Sequence, residues 1–236
     1  KGYGTWIYLD KFYFKKNEPG KLLIHSENDK KGEIILPTVR VGGGRGASGQ
    51  LRAWECASEW LKYSGAPYEV YSYHKGTDNY KDDIKCRPLW VNWLNSRVPI
   101  GMALAFHTDA GVSKENIVGT LGIYTTNGYD KNGYSTNRLA SGRNRSTCSK
   151  LAQSVTNTLI NDIQKQCAPE WKSRGLKDQN YYETSHCVVP SMLLELLSHQ
   201  NFWDMRYGLD PRFKFVACRA IYKGILKYMK GKDAVV

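Results

Sequence analysis

Two short apolar segments of the chain each carry one residue able to do chemistry. Ala103-Leu-Ala-Phe-His-Thr-Asp-Ala110 carries His107, and Pro190-Ser-Met-Leu-Leu-Glu-Leu-Leu-Ser198 carries Glu195. Imidazole is a common zinc ligand, and a carboxylate beside an activated water can take its proton. A short apolar run bounded by turn formers reads as a strand buried on both faces. Open α/β sheets build their sites at the carboxyl ends of such strands. A histidine and a glutamate at two such ends point to metal-assisted hydrolysis. The plainer alternative for Glu195 is a structural carboxylate paired with an arginine. A buried strand rarely carries an ionisable group without cause, which favours a general base and acid.

The surrounding elements must position these two residues. Leu51–Ser64 reads as a helix ending at Gly65, and Glu69–Ser72 as a strand. Lys85–Asn95 is a second, Trp-rich helix. Ile100–Phe106 and Val118–Thr125 read as strands, and 129–146 as a Gly/Asn/Ser/Arg-rich loop. Thr147–Cys167 is amphipathic, with Leu151, Val155, Leu159 and Ile163 at four-residue steps. Val188–Leu194 is a strand, and Phe213–Lys230 closes the chain as a helix. Strands alternating with helices predict an α/β fold: a mixed or mostly parallel sheet flanked by helices. Residues 1–44 are instead aromatic-rich and β-like, as in Trp6-Ile-Tyr-Leu9 and Phe12-Tyr-Phe14. The expected division is a small β remnant over 1–46 and an α/β domain over 47–236.

Composition bounds the function. The chain has 236 residues, a net charge of +12 and 41% hydrophobic residues, enough for a sizeable core. The excess of lysine and arginine favours acidic partners, though solubility alone is the plainer reading. No zinc finger, helix-turn-helix or aromatic–basic RNA-binding motif is present, so no nucleic-acid partner is expected. No run of 18 apolar residues exists, so no transmembrane helix is expected. The six cysteines form no Cys-x-x-Cys pair, which argues against a structural zinc site, and no disulfide is assigned. Lys1-Gly-Tyr-Gly-Thr-Trp is not a translation start, and a trimmed piece of a longer protein is expected.

Phe106-His-Thr-Asp-Ala110 resembles the Ile-His-Ala-Asn-Ala motif of zinc-dependent N-acetylmuramoyl-L-alanine amidases. Pro190-x-x-Leu-Leu-Glu-Leu, with Asn201 after it, is similar to that family's catalytic-glutamate strand. Leu209-Asp-Pro-Arg-Phe through Tyr228 is similar to its closing helix. The resemblance covers about residues 50–230. It is strongest to a Bacteroidetes-type branch often labelled "xanthan lyase", through Tyr80-Lys-Asp-Asp83, Trp90-Val-Asn-Trp93 and Leu194–Phe202. The N-terminal segment resembles the end of a golvesin-type β module (Gly4-x-Trp-x-Tyr-Leu and Val39-Arg-Val-Gly-Gly-Gly44). The resemblance implies a bacterial hydrolase acting on peptidoglycan, at the cell surface, in the periplasm or secreted. Its implied cofactor is Zn2+ and its implied catalytic group is Glu195.

The resemblance also implies metal ligands at His107 and Glu55. On position alone, His107 is more often a buried histidine bonded to backbone, and the surrounding motif reverses that preference. Glu59 rivals Glu55 but reads as a solvated helix residue. The family's third ligand is the histidine of a Gly-His-Gly-Gly motif, where this chain has Gly42-Gly-Gly-Arg45. His74 and His186 are the possible surrogates. Asp109 is placed to orient His107 as an acceptor, or to cap the following turn. Arg143 and Arg145 on the polar loop could bind an acidic peptide or muramyl group, although solvation is the commoner outcome. The missing histidine leaves a second class open: a catalytically inactive cell-wall or glycan-binding module of the same fold.

Overall fold

The structure is a computed structural model and describes residues 55–110 and 115–230. The expected β remnant, the golvesin-like motif and the glycine run from Gly42 all lie outside the described residues. The chain divides into two compact units, Lys1–Glu55 and Cys56–Val236, and the sheet with its helices belongs to the second.

Three helices lead in: α1 (Ala57–Tyr63), α2 (Tyr68–Tyr71) and α3 (Asn79–Asn95). Strand β1 (Ala103–Asp109), β2 (Thr120–Tyr124) and a small hairpin of β3 (Gly128–Tyr129) and β4 (Ser135–Thr136) come next. Then come α4 (Ser146–Gln166), β5 (Ser173–Asp178), α5 (Tyr182–Ser185), β6 (Ser191–Ser198), α6 (Phe202–Gly208) and α7 (Pro211–Lys230). The main sheet runs β1-β6-β2-β5. Pairs β1/β6 and β2/β5 are parallel, and β6/β2 is antiparallel. The fold is therefore a mixed, mostly parallel sheet flanked by helices, as the alternation of patterns predicts.

Three segments differ from the sequence reading. Glu69–Ser72 is helical turn, not strand, because Pro67 sets the first turn and its carbonyl accepts from Val70 and Tyr71. α3 begins six residues earlier than expected, with Asp78 as its N-cap accepting from Lys81 N at 3.0 Å. Asp82 and Asp83 thus fall in the first turns of a helix. The strand β5 and the short α5 and α6 have no clear periodicity in the sequence.

The two faces of the sheet do different work. Met192, Leu194 and Leu196 of β6 join Leu151, Val155 and Leu159 of α4 in the main core, with Phe213, Val216 and Ala220 of α7. Alternation along β6 sends Leu193 and Glu195 to the opposite face. There Leu193 packs in a small apolar cluster with Leu121, Ile123 and Ala105. The larger core buries both α4 and α7 at close range. A Cβ on Gly224 of α7 would stand 2.6 Å from Val155 Cα and 3.0 Å from Ser154 O. Gly→Ala in a helix ordinarily stabilises. Here the added methyl meets backbone, so Gly224→Ala is expected to destabilise by about 1–3 kcal/mol, the usual cost of overpacking. Urea denaturation of the two proteins checks this, and a higher midpoint for Gly224→Ala would refute the close approach.

Candidate active site

The site grows out of one register. β1 and β6 run parallel with His107 opposite Glu195. Glu195 also faces Leu121 across the antiparallel β2/β6 pair. In-register partners point to the same side of a sheet, so His107 and Glu195 share the face away from α4 and α7. Both lie inside their strands rather than at the ends, since β1 continues to Asp109 and β6 to Ser198.

His107 Nε2 lies 2.9 Å from Glu183 Oε2, a residue of α5. Glu183 Oε1 accepts from Arg87 Nη1 at 3.2 Å, and Arg87 Nη2 donates to Asp83 Oδ2 at 2.8 Å. Asp83 Oδ1 in turn accepts from Ala57 N at 2.6 Å and Ser58 N at 3.2 Å, capping the start of α1. A chain of alternating charge thus runs from the sheet through α5 and α3 to α1. The hydrogen bond that His107 donates to Glu183 raises its pKa above the ordinary 6.5, with burial opposing. Burial alone would raise Glu183, but His107 and Arg87 outweigh it and hold the carboxyl below the usual range.

Glu195 is placed differently. Its Oε2 is buried with no hydrogen-bond partner among the described residues. Burial raises its pKa, with Asp109 adding to the rise and the charge on His107 opposing it. A half-buried carboxyl with a raised pKa, beside an imidazole whose pKa is also raised, is suited to exchanging protons.

Asp109 does not orient His107. Its Oδ2 accepts from Arg174 Nη1 at 2.5 Å, and its Oδ1 is buried without a partner. Glu183 takes the acceptor role instead. The sequence signal for it was an acid in Tyr181-Tyr-Glu-Thr-Ser-His, just ahead of the Glu195 strand. Arg87 and Arg174 carried no signal, because each is one basic residue in an unremarkable helix or strand.

The other candidates lie as follows. Glu55 is exposed and belongs to the first unit, just ahead of α1. His74 Nδ1 pairs with the buried Asp82 Oδ1 at 2.9 Å. His186 is stacked between Tyr129 and Tyr182, and its Nδ1 meets Ser185 Oγ at 2.9 Å. Among the described residues neither joins His107 in a group of three possible ligands, and each ring is already held by its own partners. Arg143 donates to Thr147 Oγ1 at 3.1 Å. It lines an open groove of about 870 Å³ with Gly101, Lys150 and Lys227, at the amino end of β1, away from Glu195. Arg145 is fully buried and donates to backbone carbonyls, so it cannot meet a substrate. The arginine that reads as a loop cation is enclosed because its backbone closes the turn into α4.

Zinc, the implied cofactor, does not fit these residues. His107 Nε2 is engaged by Glu183, and Glu183 by Arg87. Among the described residues, no group of three His, Cys, Asp or Glu side chains could hold a metal ion. Structural and catalytic zinc sites take at least three protein ligands. The described residues therefore do not by themselves make a zinc site.

No family model matches the chain, and no curated protein matches it. Among solved structures, it is similar to an N-acetylmuramoyl-L-alanine amidase from Clostridium difficile 630, at 16% identity over 70% of this chain and 80% of that one, with a TM-score of 0.48. The CwlD amidase from Clostridioides difficile, solved in complex with the GerS lipoprotein, is 17% identical over 73% and 80%, with a TM-score of 0.47. The amidase AmiC2 of Nostoc punctiforme is 18% identical over 80% and 89%, with a TM-score of 0.45. At these identities and scores the likeness assigns neither family nor activity to this chain.

The charge chain carries a pH signature. A histidine raised by its partner contributes stability that is complete below its unfolded pKa and lost as pH climbs through the higher folded value. Glu183, held low, contributes above its unfolded pKa and loses that contribution on acidification. The His107–Glu183 pair should thus stabilise most between about pH 4.5 and 6.5, the two unperturbed values. In chelator-treated protein, Glu183→Gln should cost about 1–3 kcal/mol near pH 6, the worth of a charged hydrogen bond. The cost should shrink toward pH 9. Denaturant titrations across pH check this, and a cost that does not vary with pH would contradict the pairing.

Proposed function

We propose that this chain is an amide hydrolase acting on peptidoglycan, cleaving the bond between the lactyl group of N-acetylmuramic acid and L-alanine. The observation that carries the reading is Glu195 held in register beside His107 on one face of the sheet, with one buried carboxylate oxygen left over. The amidase-like motifs around both residues support it, and so does the raised pKa of Glu195. Placement in the "xanthan lyase"-labelled branch rests on sequence motifs alone. The proposed setting is extracytoplasmic, at a bacterial cell surface, in the periplasm or secreted. No helix among the described residues is long and apolar enough to cross a membrane.

In this reading Glu195 takes a proton from the water that attacks the amide carbonyl carbon. It then delivers that proton to the departing alanine nitrogen as the C–N bond breaks. Glu183 favours the protonated form of His107, and in that form His107 favours the ionised form of Glu195 and offsets the negative charge that develops on the carbonyl oxygen. Arg174 holds Asp109 and so limits the negative charge gathered around Glu195. Glu195→Gln removes the proton carrier and keeps the shape. It should leave the fold intact and lower turnover of purified peptidoglycan by about 100-fold or more. Release of new N-terminal alanine, read by mass spectrometry, measures it; full activity in Glu195→Gln would sink the mechanism.

A second reading is an inactive cell-wall binding module. It is favoured by the want of a three-residue metal-ligand set among the described residues. Elemental analysis of the 236-residue chain bears on both readings, and well under one zinc per chain is the expected result. Tight stoichiometric zinc would bring in a ligand from outside the described residues. Binding of peptidoglycan without any cleaved product, from a protein that also lacks metal, would favour the module.

A further inference from the structure

Arg145 is a large cation with no exposure to solvent. It sits at the N-cap of α4, where its own amide donates to Asn137 O at 2.7 Å. Nη1 donates to Cys187 O at 3.0 Å, and Nη2 to Thr184 O at 2.8 Å and Ser185 O at 2.9 Å. Nε is buried without a partner. The groups around the guanidinium are thus carbonyls of one short segment, together with the thiols of Cys148 and Cys187. Burial lowers the pKa of Arg145 and raises that of Cys187 to about 12, so the thiol supplies no counter-charge. Burying a cation on carbonyl dipoles is costly unless the geometry is well satisfied.

The segment so held is the end of α5 and its connection to β6. Glu183 immediately precedes the first of the three carbonyls, and Ser191 Oγ at the start of β6 donates to Thr184 O at 3.0 Å. The other side of the guanidinium is closed by Gly128 of β3. A Cβ there would stand 2.3 Å from Ser185 O and 2.5 Å from both Cζ and Nη2 of Arg145. Only glycine leaves room for the arginine and the α5 carbonyls together.

We propose that Arg145 is a positioning residue: by gripping the carbonyls of Thr184, Ser185 and Cys187, it sets the place from which Glu183 reaches His107 and Arg87. The role in turnover rests on the amide-hydrolase reading, while the placement of Glu183 does not. Gly128 is the second part of the same device. A four-residue helix makes too few internal hydrogen bonds to hold itself, so the segment carrying Glu183 needs an external anchor.

Gly128→Ala and Arg145→Lys test this through different atoms. The first crowds the guanidinium, and the second keeps the charge but loses the planar fork that reaches several carbonyls at once. Crystal structures of the variants are the first readout. In either folded variant, Glu183 Oε2 is expected out of hydrogen-bond reach of His107 Nε2, with α4, α7 and the main core unchanged. Kinetics on purified peptidoglycan are the second. A fall in kcat of about tenfold or more with KM within about twofold is expected, as for a misplaced group that binds no substrate. A folded variant that keeps the Glu183–His107 contact overturns the proposal, whatever its kinetics, and so does a displaced Glu183 with unchanged kcat. If the unaltered protein turns over no peptidoglycan, the hydrolase reading falls. The crystallographic readout then decides the placement role alone.

Discussion

The parallel register of β1 against β6 is the constraint on which the rest of the site depends. It sets His107 opposite Glu195 and, by the two-residue period of a strand, fixes which side each faces. The same alternation sends Met192, Leu194 and Leu196 into the core beneath α4 and α7. A slip of one residue would bury Glu195 among leucines and turn Leu194 toward the polar side. The hydrophobic core thus holds the register, and the register holds the chemistry. β6 gives up one apolar position to a carboxyl because its remaining positions bury enough surface to keep it in place.

Around that register the structure builds its polar side from helices that are weak on their own. α1, α2 and α5 are short, and α1 buries no residue. They are held by charged and polar anchors: Asp83 on the first amides of α1, and Asp82 on His74 N at 2.6 Å and on Ser72 Oγ. The loops at the far end of β6 have the same plan. The buried Asp204 accepts from Ser198 N at 2.9 Å and Val118 N at 2.8 Å, and Asn201 reaches Asn116 O at 2.7 Å. Apolar burial is thus one side of the construction, and the anchoring of helix starts and loops by carboxylates is the other. Such groups are costly to leave unpaired, and the arrangement is correspondingly specific.

Much of the first side was legible in the sequence, and little of the second. The four-residue steps of Leu151, Val155, Leu159 and Ile163 gave α4, and the apolar run around Glu195 gave β6, because periodic burial leaves a periodic trace. His107 and Glu195 stood out as single polar residues in such runs. Glu183 did not, because it lies in a four-residue helix with no period to break. Asp82 and Asp83 did not stand out either, because their partners, His74 and the amides of α1, come from other elements. Arg145 misread as a loop cation for the same reason: its acceptors are carbonyls of α5 and the segment after it, some forty residues away.

The links Asp83, Arg87, Glu183 and His107 alternate in sign, and each satisfies the next. Their identities are therefore not independent variables in the history of such a chain. Changing Glu183 to a basic residue would set like charges against Arg87 and His107 at once, and a sign change at Asp83 would also strip the first amides of α1 of their acceptor. Drift at these four positions should proceed in concert. Related sequences would then show them changing as a block, with α3 and α5 recording each other's substitutions.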